Sequence, residues 1–240
     1  MPELVLLLVP IVALAFTALS AWSFVVARRP KRLVAEGRWA EAQGAAERLE
    51  RSWMRLSRGV RTGAIYTRAL CLHLGGELDA SLALLATIEA PEKKDAGLFH
   101  AASLLEAAGL VMVGRDVGRA ARMLESIGSP ASPPEDTLLL AIAKHQLGDR
   151  AAADALFDRA GASRPPNAPW PRINEPVFHY LRGLYLLKTK GGAEAAADLD
   201  RAASAPVVSV YVQRARALVP PRPDPDLDPR SSLAPQIIDE

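Results

Sequence analysis

Cys71 and His73 are the nearest approach in this sequence to a nucleophile beside a base. They sit two positions apart, which on a helix puts them on different faces. Cys71 also lies in the apolar run Ala69-Leu70-Cys71-Leu72, where a free cysteine behaves as a small buried hydrophobe. It is the only cysteine, which excludes an internal disulfide framework and a cysteine zinc cluster. His100, His145 and His179 show no metal-ligand spacing. Asp198 and Asp200 point to different faces of one helix and make no paired-carboxylate site. Gly109 to Gly114 has the two-glycine spacing of a phosphate loop, but Arg115-Asp116 follows instead of Lys-Ser or Lys-Thr. Asp224, Asp226 and Asp228 imitate the start of a calcium loop, yet Pro229 and Pro235 occupy the positions that need Gly and Glu. There is no His-Glu-x-x-His, no paired Cys-x-x-Cys and no Gly-x-Ser-x-Gly. The residues predict no catalytic set, no metal and no cofactor, and the expectation is a protein that is not an enzyme.

What, then, do the elements carry? The chain has 240 residues, of which 50% are hydrophobic and 5% aromatic. Alanine dominates the apolar half, which favours helices over strands. The net charge of +2 argues against a nucleic-acid partner.

Leu4 to Ala27 carries no charged side chain. At about 1.5 Å per helical residue it matches a hydrocarbon core of about 30 Å. Arg28, Arg29, Lys31 and Arg32 follow at once, and the positive-inside rule then predicts an outside N-terminus and a cytoplasmic remainder. The expectation is a single-pass inner-membrane protein, since a cleaved signal would carry its basic cluster ahead of the apolar run. Residues 28–68 hold eleven Lys and Arg against four Asp and Glu. Arg48, Arg51, Arg55 and Arg58 recur at spacings of three and four, a stripe on a helix read from Arg38 to about Arg58. That stripe suits anionic headgroups, a solvated face, or an acidic partner protein.

Past the basic junction a pattern repeats. A glycine and a polar residue precede a small residue at Ala42, Ser81, Ala120, Ala153 and Ala195. An apolar residue follows four later at Leu85, Leu124, Phe157 and Leu199, and seven later at Leu49, Ile88, Ile127, Ala160 and Ala202. Twelve before the small residue stands another, at Ala69, Ala108, Ala141 and Gly183. Each unit reads as two helices joined by a tight turn. The clearest runs from Leu140-Ala141 through Lys144, Gly148-Asp149, Ala153, Phe157 and Ala160 to Pro165, and it resembles the tetratricopeptide (TPR) repeat. The resemblance covers about 33–206. Unit one departs from it, because Pro30 and the basic cluster stand where its first helix belongs. The predicted architecture is all-α: a membrane anchor and basic junction over 1–32, a TPR-like α-solenoid of four to five helix pairs over 33–218, and a proline-rich extended tail over 219–240. Val207 to Leu218 is expected to form a last helix closing the core.

The resemblance implies binding of proteins or peptides in a concave groove lined by the first helix of each pair. Carried onto this sequence, the groove positions are Tyr66 and His73, Met112, His145, Tyr180 and Lys188. Only Lys188 is a groove cation, so a gripped C-terminal carboxylate is not implied; an apolar anchor segment is. The functional expectation is a membrane-tethered scaffold for other proteins. A regulator of bacterial envelope biogenesis or a structural membrane-surface protein are the alternatives.

Overall fold

The computed structural model describes residues 28–52, 57–88, 96–127, 132–162 and 174–219, and every regular element among them is a helix. The described part of α1 covers 28–35. It is followed by α2 (Trp39–Arg51), α3 (Arg58–Gly75), α4 (Leu78–Leu85), α5 (Ala96–Val113) and α6 (Val117–Ile127). Then come α7 (Pro134–Gln146), α8 (Arg150–Ala162), α9 (Asn174–Thr189), α10 (Gly192–Ala203) and α11 (Val210–Leu218). Consecutive helices pair into five hairpins, α1–α2 to α9–α10, with α11 after the last. Neighbouring hairpins meet through α2 on α3, α4 on α5, α6 on α7 and α7 on α9. This is the stacking of an α-solenoid, in which no hairpin can bury its apolar face alone.

Local chemistry explains the turns. Gly37, Gly76, Gly114, Gly148 and Gly191, the five glycines of the repeat pattern, all take positive φ. At Gly76, with φ of +95°, the amides of Gly76 and Glu77 close the end of α3 on the carbonyls of His73 and Leu72. A side chain there would be strained.

The small residues set the helix spacing. Ala42, Ala120, Ala153 and Ala195 are fully buried, and Ser81 is buried with its hydroxyl donating to the Ala69 carbonyl at 2.8 Å. A Cβ placed on Gly183 would stand 2.8 Å from Leu199 Cγ, so α9 and α10 approach as only glycine permits. Gly109 does the same between α5 and α4: its Cβ would meet Leu82 at 2.9 Å. It is a packing residue inside a helix, not part of a phosphate loop. Between units, Arg68 pairs with Glu50 across α3 and α2 at 2.7 Å, and Lys144 pairs with Glu125 across α7 and α6. Such partly exposed pairs fix register more than they stabilise.

Three expectations need correction. Among the described residues no helix is long and apolar enough to cross a membrane, which overturns the predicted transmembrane helix and the single-pass inner-membrane location. The two longest described helices, α3 and α5, have 18 residues each. That is about 27 Å of helix, and they carry Arg58, Arg61 and Arg68, or His100 and Glu106, where a span of about 30 Å needs an apolar surface. Leu4 to Ala27, and the orientation drawn from that run, lie outside the described residues. Second, unit one has a first helix after all: Pro30 lies within α1 and is buried, and Leu33 and Val34 pack with Ala42 and Ala45. Third, the helix read from Arg38 to about Arg58 is broken. Ser52 turns to extended backbone (φ −79°, ψ 167°) and ends α2, so Arg48 and Arg51 close one helix while Arg58 opens the next. Arg55 lies outside the described residues, as do the acidic run at Asp224 and almost all of the tail.

Candidate functional site

The first helices of the hairpins share an inner face, and α11 is seated on it. Ser209 caps α11 by accepting a bond from the Val212 amide. One face of α11, made by Val210, Tyr211, Val212 and Ala215, is then buried, while Gln213, Arg216 and Leu218 stay exposed. Three of these positions are consecutive and span about 200° of the helix, so α11 is seated on a broad face and not along a narrow seam.

The contacts of α11 reach across the array. The Tyr211 hydroxyl lies 2.7 Å from His73 Nε2 on α3, and its ring meets Tyr180 on α9 edge to face at 5.6 Å. Arg214 Nη1 donates to the Met112 carbonyl at the end of α5, 3.2 Å away. Val210 packs over Gly76 at 3.6 Å from where a Cβ would be. The approach to α11 is held too, since Trp39 Nε1 donates to the Val208 carbonyl at 2.9 Å. Arg216 Nε donates to the Ala203 carbonyl at 2.9 Å, tying the outer side of α11 to α10.

Burial sets the protonation of this cluster. It pushes His73 down to about 4, with the Arg214 charge adding in the same direction. It pushes the Tyr211 and Tyr180 phenols up, Arg214 opposing in both. The His73–Tyr211 bond therefore joins two neutral groups near neutral pH.

Beside α11 the inner face stays open. A cavity of about 270 Å³ is walled by Tyr66 of α3, Leu104 and Leu105 of α5, Leu139 of α7, Leu181 of α9, and Tyr211 itself. Glu135 and Asp136, in the first turn of α7, are its acidic margin. Burial raises the Asp136 carboxyl, against the opposing charge of His100.

Four of the six expected groove residues therefore converge. His73 and Tyr180 touch Tyr211, Met112 takes Arg214, and Tyr66, its phenol pushed up by burial, walls the cavity. His145 sits apart, edge-on to Tyr185 at 5.9 Å within the packing of α7 on α9. Lys188 is exposed in the last turn of α9. Of the basic residues, Arg28, Arg29, Lys31 and Arg32 are exposed on α1, Arg32 pairing with Glu36 at 2.9 Å. Arg48, Arg51 and Arg58 are exposed as well. Cys71 is buried and its thiol is pushed up to about 11, far from a nucleophile's range.

Sequence reasoning missed Tyr211 and Arg214. It treated their helix as an apolar end cap, although Tyr and Arg three apart on one face are a polar signal that a cap does not need. It also missed the buried link of His179 Nδ1 to Asp198 Oδ1 at 2.7 Å, joined by Arg182 at 3.1 Å, which pins α9 to α10. Among the described residues no group of three or more His, Cys, Asp or Glu is placed to hold a metal ion.

No family model matches the sequence, and no curated protein does. A solved structure described as "MamA RS-1 ArsTM double mutant" is similar to this chain at 14% identity, covering 80% of this chain and 94% of that one with a TM-score of 0.47. That likeness is too slight to transfer a function.

Proposed function

We propose that this chain is a TPR-like helical-repeat scaffold that binds segments of other proteins on the inner face formed by α3, α5, α7 and α9. The work proposed is binding, not catalysis. One observation carries the reading: an open, largely apolar cavity to which the first helices of four successive hairpins each contribute a wall. A cavity of this kind takes the apolar anchor of a helix or extended segment, and such anchors supply most of the affinity in small interfaces.

The test is a photo-reactive residue introduced at Tyr66 in the full chain, compared with one at Ala151 on the outer helix α8. The expected result is a discrete set of crosslinked proteins from position 66 that Ala151 does not give. Identical capture from both positions removes the inner face from the account.

A further inference from the structure

α11 is nine residues long, too short to be a stable helix by itself in water. It is held only by what it touches. Part of that hold belongs to its own end of the array: Arg216 bonds the carbonyls of Ala203, the last residue of α10, and of Ala205 just after it. An end cap needs no more than this and an apolar face. The inner side of α11 does something different. Tyr211 crosses to His73 of the second hairpin and Arg214 to Met112 of the third, through side-chain bonds specific in both partner and direction.

The receiving groups are shaped for that chemistry. His73 is 1% exposed, and its other ring nitrogen, Nδ1, has no hydrogen-bond partner among the described residues. A hydroxyl at the Tyr211 position is therefore what compensates the buried imidazole. A site built to bond a buried hydroxyl discriminates strongly against a side chain that lacks one. Met112 offers a helix-terminal carbonyl, an acceptor that suits a cation. The segment leading to α11, residues 204–209, has no helical structure and exposes Val208, so α11 can leave the face without breaking a helix, at the cost of the Trp39–Val208 and Arg216–Ala205 bonds.

We propose that α11 is a built-in occupant of the inner face, displaced by a helix of another protein that presents the same features. Those features are an aromatic hydroxyl, an apolar residue directly after it and a basic residue three positions on, as in Tyr211, Val212 and Arg214. The proposal rests on the inner-face binding reading and names its ligand chemistry. Because α11 is tethered, its effective concentration on the face is on the order of millimolar for a short flexible linker. A free helix must exceed that competition, so the resting protein is closed to weak or mismatched partners.

The probe is a fluorescent synthetic peptide with the sequence of residues 209–218, titrated into the full chain and into two variants, Tyr211→Phe and Arg214→Gln. Amide hydrogen exchange is measured on the same three proteins. Each variant weakens the tethered competitor by one buried or half-buried bond. The peptide should then bind each variant about tenfold more tightly than the wild type. The α11 amides should exchange faster while those of α9 and α10 do not. A peptide carrying Phe in place of its Tyr should lose the gain. Equal peptide affinity for all three proteins overturns the displacement proposal and leaves the inner-face reading standing. No binding to any of them, with α11 exchanging freely in the variants, overturns the proposed ligand chemistry; the crosslinking from Tyr66 then decides the broader reading by itself. Faster exchange throughout α9 and α10 in both variants makes α11 a structural cap and overturns the proposal.

Discussion

Tyr211 and His73 stand 138 residues apart in sequence and share a buried hydrogen bond of 2.7 Å. That bond breaks the nearest-neighbour order in which stacked hairpins otherwise touch only the units beside them. It joins the helix after the fifth hairpin to the second. Trp39 and the Val208 carbonyl make a parallel link to the first. The array is therefore tied across its inner face as well as along its length.

The protonation of His73 gives the first prediction. Its ordinary value of 6.5 falls to about 4 when buried, so the folded chain holds fewer protons than the unfolded one between these limits. Stability is full above about pH 6.5 and declines as pH drops toward 4. The groups facing His73 are Tyr211 and Arg214 from α11, and neither offers the imidazolium a compensating negative charge near neutral pH. The expected signature is a thermal midpoint that drops between pH 6.5 and 4 in the wild type, measured against a His73→Gln variant whose drop over the same interval is smaller. Parallel declines in both would take His73 out of the explanation.

Trp39→Phe removes the indole donor while keeping most of the ring. The lost bond to the Val208 carbonyl is worth about 1 kcal/mol. The loss should appear as faster exchange at the start of α2 and in α11, which the Val208 segment leads into, with the central hairpin α5–α6 unaffected. Uniform acceleration over all hairpins would mean that Trp39 serves the global core instead.

Cys71 offers a direct probe of opening. It is 2% exposed and its thiol is pushed up to about 11 by burial. A disulfide reagent at neutral pH should label it only through unfolding or opening of α3, orders of magnitude more slowly than a free thiol. Added denaturant should raise that rate along with the unfolded fraction. Rapid labelling of the native chain would contradict the packing around α3.

The repeat units were legible because their signals are local. A glycine that must take positive φ and a small residue that must admit a neighbouring helix leave their marks within a dozen residues, and all five turns fall where that pattern puts them. Four of the six residues expected to line a groove lie on or beside the inner face, Met112 only through its main-chain carbonyl, and the crosslinking from position 66 tests whether that face binds. The occupant of the inner face was not, because the partners of Tyr211 and Arg214 lie on α3, α5 and α9 and no short window contains them. Pro30 misled in the opposite direction: it reads as a helix breaker, yet α1 runs through it. The arginine stripe failed at one residue, Ser52, whose extended backbone ends α2 within a sequence whose charge period continues. The helix expected to cross a membrane rested on an apolar run outside the described residues, and among those described no helix meets the requirement.

Ser81 stands where the repeat pattern otherwise places alanine, and its hydroxyl bonds the Ala69 carbonyl. That carbonyl lies inside α3 and retains its helical role, so Ser81→Ala should cost only about 1 kcal/mol. Ser81→Val should cost more, about 1–3 kcal/mol, because the position is 1% exposed and extra methyl groups must displace α3. Denaturant midpoints at unchanged slope would rank the two. A larger loss for alanine than for valine would mean that the hydroxyl, not the space, governs the site.

Two glycines inside helices separate close packing from mere flexibility. A Cβ on Gly183 would stand 2.8 Å from Leu199 Cγ and 3.1 Å from the Leu199 backbone nitrogen. The backbone nitrogen cannot step aside, so Gly183→Ala must push α10 off α9 and should destabilise by about 1–3 kcal/mol. In α2, a Cβ on Gly44 would meet nothing nearer than the flexible end of Arg48, at 3.6 Å. There alanine only restricts the unfolded chain, and Gly44→Ala should stabilise by about 0.4–1 kcal/mol. Opposite signs from the same chemical change, read as opposite shifts of the urea midpoint, would establish that the α9–α10 approach requires a missing side chain. Equal stabilisation by both substitutions would refute that close approach.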